Sequence, residues 1–253
     1  MIQYAFKQEV FAMHGIRSLA RFGFAFLVAA LLLSFTAVVR PAAAQETTLL
    51  FAFSGTVRNG PSSSTVISGD LSLSPNEDGS LTGALDLGET SVPVTGRLAG
   101  SNIAVEFNLG GGVFVFGIGR ADEFGNFRGP FVGPASGDFG HWVARPITLA
   151  SYDFSGTVER GPSTGTTLAG DLDLRIIANR FTGTLTIDES TVIPVEGRIS
   201  SHEGLFRIKI TFDLGGGVTI VGTGRTNADG VFEGDFRGPQ ADDRGTWTTT
   251  PSI

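Results

Sequence analysis

From residue 51 onward, apolar and polar residues alternate with a period of two through nearly every segment of the chain. That period puts alternate side chains on opposite faces of a strand, and it predicts a succession of half-buried strands. In the first half the apolar face reads Phe51/Phe53/Gly55/Val57, Ile67/Gly69/Leu71/Leu73, Leu81/Gly83/Leu85/Leu87 and Val92/Val94/Gly96/Leu98. It continues as Ile103/Val105/Phe107/Leu109, Val113/Val115/Gly117/Gly119, Phe127/Gly129/Phe131 and Gly140/Trp142. The opposite face is polar, with Ser54, Thr56, Asp70, Thr82, Thr95 and Arg97. Turn formers separate the segments at Asn59-Gly60-Pro61, Asn76-Glu77-Asp78-Gly79, Gly110-Gly111-Gly112 and Gly133-Pro134. Short strands joined by short loops favour antiparallel neighbours in meander order.

A glycine recurs on the apolar face of nearly every strand: Gly55, Gly69, Gly83, Gly96, Gly117 and Gly129. Glycine weakens a strand interior, so its recurrence there points to a sharp bend or to close approach of another backbone or a ligand. Bending every strand inward is what closes a small barrel. The expected fold is therefore all-β, each half a small antiparallel up-and-down β-barrel of about eight strands, with a two-sheet β-sandwich as the alternative. Closure removes the open edges that invite aggregation. The outward Ser, Thr, Asp and Arg residues are not the lipid-facing apolar band of an outer-membrane barrel.

The second half of the chain restates the first. FSGTV at 53–57 returns at 154–158, Gly69-Asp70 returns as Gly170-Asp171, and LGGGV at 109–113 returns at 214–218. GIGR at 117–120 matches GTGR at 222–225, and Gly140/Trp142 matches Gly245/Trp247. The glycines recur as Gly156, Gly170, Gly183, Gly197, Gly222 and Gly234. A repeat this long is domain-sized rather than a solenoid unit. Two tandem barrel domains are expected, over residues 46–146 and 147–253.

Residues 1–44 fall outside the pattern. Arg17 and Arg21 lead into the apolar run FGFAFLVAALLLSFTAVV, and Ala42-Ala43-Ala44 precedes the polar Gln45. Charged, apolar and small-residue regions in that order form a secretory signal peptide, cleaved after Ala44. An exported protein is expected, with no membrane attachment after cleavage. Without Lys7, Glu9, Arg17, Arg21 and Arg40 the chain keeps 14 basic and 24 acidic residues, and it has no cysteine. An acidic balance with no basic block argues against nucleic acid as a partner. Stability must come from burial rather than disulfides.

Candidate chemistry is sparse. The ionisable residues present in both halves are Asp70/Asp171, Arg97/Arg198, Arg120/Arg225 and Asp138/Asp243. They fall on the outward parity, where the expectation is cross-strand Asp–Arg pairing rather than an anion site. Asn76–Gly79 and Asn227–Gly230 set oxygen side chains before a glycine as calcium loops do, but they lack the later bidentate Glu, so turns are expected. His141 and His202 have no counterparts in the other half, and no His/Cys cluster provides zinc ligands. Ser54 and Ser155 recur without a nucleophile elbow or a recurring histidine base. LGGGV lacks the Lys-Ser/Thr of a phosphate loop and is expected to be a hairpin turn. No catalytic, cofactor or metal site is expected, and the cofactor expectation is none.

The halves differ most in the sixth strand. Its outward residues are Phe114, Phe116 and Ile118 in the first half, but Thr219, Val221 and Thr223 in the second. An outward apolar stripe marks a candidate contact surface. The architecture, with FTGTL at 181–185 and the Gly-x-Trp of a terminal strand, resembles small secreted barrels of the lipocalin and avidin kind. With only Trp142 and Trp247 in the chain, a tryptophan-lined biotin site is not implied. The expected function is that of an exported, non-enzymatic binding protein for a small or apolar ligand or a surface partner. The alternatives are a structural or cell-surface module without a ligand pocket and a carbohydrate-active hydrolase.

Overall fold

The computed structural model describes residues 48–252, other than 134, 203, 204, 228, 229 and 241. The leader expected over 1–44 lies outside the described residues. Those described form fifteen strands and no helix. The first eight are β1 (Leu49–Asn59), β2 (Val66–Pro75), β3 (Ser80–Asp86), β4 (Ser91–Ala99), β5 (Asn102–Gly110), β6 (Val113–Ala121), β7 (Phe127–Gly133) and β8 (Asp138–Arg160). Then follow β9 (Thr167–Ile177), β10 (Arg180–Thr186), β11 (Val192–His202), β12 (Leu205–Asp213), β13 (Thr219–Thr226), β14 (Phe232–Arg237) and β15 (Arg244–Pro251).

Consecutive strands pair antiparallel, and two extra pairings close the sheet on itself. β1 returns to pair with β8, so β1 to β8 form a ring. β8 also pairs with β9 and β15, which closes a second ring through β9 to β15. Closed rings decide for barrels over the sandwich, because a sandwich leaves open edges in both sheets.

One strand serves both rings. β8 runs 23 residues without interruption. Its pairing with β1 ends at Pro146, and its pairing with β9 starts at Ile147. The connection expected near residue 146 is thus a continuous strand. Pro146 has no N–H to donate, so it fits where one ladder stops and the next begins.

The expected apolar faces point inward. The first ring is filled by Phe51, Phe53, Leu71, Leu73, Val94, Phe107, Phe131 and Trp142, all buried. The second is filled by Phe154, Leu172, Leu174, Phe181, Ile210, Phe212, Phe236 and Trp247. The Phe53 and Trp142 rings stack at 6.0 Å, and Phe154 and Trp247 at 6.1 Å. Leu87 and Leu109, expected on the apolar face, are exposed. They lie at or beyond strand ends, past the rim of the ring.

At several of the recurring glycines the close approach is that of a neighbouring strand's backbone. A Cβ on Gly83 would fall on the carbonyl oxygen of Ser72 in β2, and one on Gly183 on that of Asp173 in β9. The neighbouring backbone itself occupies the position, as at a tightly bent barrel wall. Gly117 and Gly119 instead form a slot for Trp142, whose indole carbon Cζ2 would lie 2.6 Å from a Cβ on Gly119. Gly222 and Gly224 do the same for Trp247. Each indole Nε1 closes its slot. Trp142 donates to the Ile118 and Pro130 carbonyls at 3.2 Å each, and Trp247 to the Asp235 carbonyl at 3.2 Å.

Because a cut between 146 and 147 severs no ladder pairing of either ring, we expect residues 46–146 and 147–253, made as separate chains, each to fold with its own cooperative transition. Circular dichroism with urea titration reads this directly. Two unfolded fragments beside a folded full chain would mean that the rings depend on each other through the uncut β8.

Candidate functional site

Register assembles the outward residues of the first ring into rows. Phe116 on β6 lies opposite Val132 on β7, and Val132 lies opposite Phe139 on β8. Residues directly opposite on one face of an antiparallel pair have Cβ atoms ~4.5–5.5 Å apart, so this is a continuous apolar row. Phe116, Val132 and Phe139 are 40%, 41% and 36% exposed, and Ile118 beside them is 62% exposed. Phe114 is half-buried, with its ring centroid 6.5 Å from that of Phe116. Phe139 meets the His141 ring edge-on at 5.6 Å. The expected stripe Phe114/Phe116/Ile118 is therefore one column of a wider patch. Sequence reasoning missed Val132 and Phe139, although their parity, next to inward Phe131 and Gly140, already assigns them outward.

The positions that align with this patch in the second ring are Thr219, Val221, Thr223, Arg237, Arg244 and Thr246. The same backbone plan is satisfied there by polar residues at every position but Val221. Packing does not require Ile118, Val132 or Phe139 to be apolar.

Beside the patch the outer wall is concave. In the first ring a hollow of about 500 Å3 is lined by Arg97, Ala104, Ile118, Arg120, Arg128 and Pro130. In the second a hollow of about 1370 Å3 covers the aligned strands, lined by Arg198, Lys209, Thr223, Arg225, Glu233 and Asp235 among others. The arginines shared by both halves, Arg97/Arg198 and Arg120/Arg225, all face these hollows.

The expected cross-strand pairing of these arginines with Asp70 and Asp171 does not occur. Asp70 pairs instead with Arg175 of β9, joining the first ring to the second. The reason is register: Asp70 lies opposite Ala52 and Asp86, and Arg97 lies two strands further round the wall. Arg97, Arg120, Arg198 and Arg225 have no ion-pair partner among the described residues.

The other recurring carboxylates hold loops. Asp138 accepts hydrogen bonds from the Ser62 backbone N–H and hydroxyl, both at 2.9 Å, tying the β1–β2 loop to the start of β8. The Ser62 N–H holds the Asp138 carboxyl below its ordinary pKa. Asp243 accepts from the N–H of Ser163 at 3.0 Å and of Gln240 at 3.1 Å, and its side chain is fully buried. Burial alone pushes the Asp243 carboxyl up, but these hydrogen bonds outweigh it and hold it below its ordinary value.

The remaining loops are turns. Gly79 takes a φ of 79° and closes on the Asn76 carbonyl at 3.0 Å, while Asp78 accepts from Ser80. Those carboxylate contacts serve the turn. Gly110, Gly111 and Gly112 all have positive φ and form the β5–β6 hairpin turn. Ala228 and Asp229 of the second acidic loop lie outside the described residues.

No protein-family model matches the chain, and no curated protein matches it in sequence. Among solved structures it is similar to the agglutinin of Burkholderia oklahomensis, at 14% identity and a TM-score of 0.22, over 80% of this chain and 94% of that one. It is also similar to a variant of transferrin binding protein B from Haemophilus parasuis, at 8% identity and a TM-score of 0.27, over 81% of this chain and 76% of that one. Likenesses at this level leave the interpretation of the surface to the chain's own residues.

Proposed function

We propose that the protein is an exported, non-enzymatic binding protein built of two duplicated barrel domains, and that it docks a protein partner through the outer wall of the first barrel. One observation carries this reading. Phe116, Ile118, Val132 and Phe139 form an exposed apolar patch at positions where the second ring has Val221, Thr223, Arg237 and Arg244. An exposed apolar patch that the fold does not need is the usual mark of a contact surface, and aromatic side chains are enriched in such surfaces. The barrel interiors favour the outside as the place of binding, because Trp142, Trp247 and the phenylalanines around them fill the space a small ligand would take.

The test is a photo-activated cross-linker placed at Ile118, or at exposed Thr82 on β3 as the control, in the organism that makes the protein. A discrete heavier species is expected at 118, lost when Phe116→Asp is added. Absence of that species, or equal labelling at 82, overturns the docking role of this face.

A further inference from the structure

The second ring has an outer feature that the apolar patch does not explain. Arg180, Arg198, Arg207, Lys209 and Arg225 are all exposed on the outward parity of β10 to β13. Register sets Arg180 opposite Arg198, Arg198 opposite Lys209, and Arg207 opposite Arg225. Like charges directly opposite on one sheet face destabilise the pair. None of the five has an ion-pair partner among the described residues, in a chain whose net charge is −7. The first ring shows that the fold does not demand this cost. By alignment and register its residues at the same places are Ser80, Arg97, Asn102, Ala104 and Arg120.

The row through Lys209 then changes character. Thr223, Asp235, Thr246 and Thr157 follow one another across β13, β14, β15 and β8. A hollow of about 1370 Å3 runs over both parts. Guanidinium and ammonium groups at one end, with Glu233 opposite Arg225 as the one carboxylate facing them by register, suit carboxylate or sulfate, and hydroxyls with a carboxylate at the other suit sugar hydroxyls. We infer that this concave face binds an acidic polysaccharide, with Arg198, Arg207, Lys209 and Arg225 on its anionic groups. Single-stranded nucleic acid fits less well, since among the described residues no exposed aromatic side chain on this face offers a stacking platform, Trp247 being buried. An anionic membrane fits less well because the outward row has no apolar side chain to insert.

The inference is independent of the docking patch, which lies on the other ring. Calorimetric titration of the exported protein at low ionic strength, with polygalacturonate as the probe, tests it. Binding is expected, with none to neutral dextran. Lys209→Ala combined with Arg207→Asn, which installs the residues the first ring carries, should weaken binding about tenfold, as loss of charge-assisted contacts does. Arg97→Ser with Arg120→Ser and, separately, Phe116→Asp should leave affinity unchanged. No binding to polygalacturonate overturns the inference. So does equal binding to single-stranded DNA or phosphatidylglycerol vesicles, or unchanged affinity in the folded Lys209/Arg207 variant.

Discussion

Replacing Gly83 or Gly183 with alanine is expected to destabilise its ring by about 3 kcal/mol or more, at or above the upper end of ordinary overpacking costs. A Cβ there would coincide with the backbone carbonyl of Ser72 or Asp173. Relief requires moving a whole strand, not one side chain, so valine should be little worse than alanine. That near-equality separates the carbonyl contact from a merely crowded core, in which alanine would fit and valine would not. Thr82→Val and Thr182→Val, one residue away on the exposed parity, should stay within about 0.5 kcal/mol of the parent. Urea titration of the six single variants supplies the comparison. An alanine variant as stable as the parent would show that the wall is not bent tightly at this point.

Truncating the slotted tryptophans should cost as much. Trp142→Ala and Trp247→Ala each remove a buried indole packed on phenylalanine, and such losses run to ~3–5 kcal/mol. Trp142→Phe keeps a ring but removes the donor shared by the Ile118 and Pro130 carbonyls, for a smaller loss of about 1–3 kcal/mol. Gly119→Ala should cost clearly less in the Trp142→Ala background than alone, because the atom it strikes is then gone. The chain has two tryptophans, one per ring. Trp142→Phe therefore leaves Trp247 as the reporter of the second ring, and Trp247→Phe does the converse. Equal fluorescence transitions in both variants, both shifted by either mutation, would mean that the rings unfold as one unit.

Much of this architecture is legible in the order of residues alone. Alternation at period two depends on neighbouring residues, so it assigns Leu71, Val94, Phe107 and Ile210 to the interior, where they are buried. Glycines on the apolar parity point to inward bending, and the closed rings follow from it. Comparison of the halves exposes the Phe114/Phe116/Ile118 difference directly. The same reasoning fails for Asp70, whose partner Arg175 is 105 residues away and in the other ring.

Strand positions, the apolar side of each strand and the places where the two halves diverge are all written in the order of residues. These are local properties, set by side-chain periodicity and turn chemistry. Folding in three dimensions adds that β8 runs unbroken through both rings, that Gly117 and Gly119 make room for Trp142, and that Phe116, Val132 and Phe139 form one row. It also brought Arg180, Arg198 and Lys209 to face one another across adjacent strands. Each of these depends on strand register and ring closure, which bring together residues far apart in the chain and which no local pattern encodes.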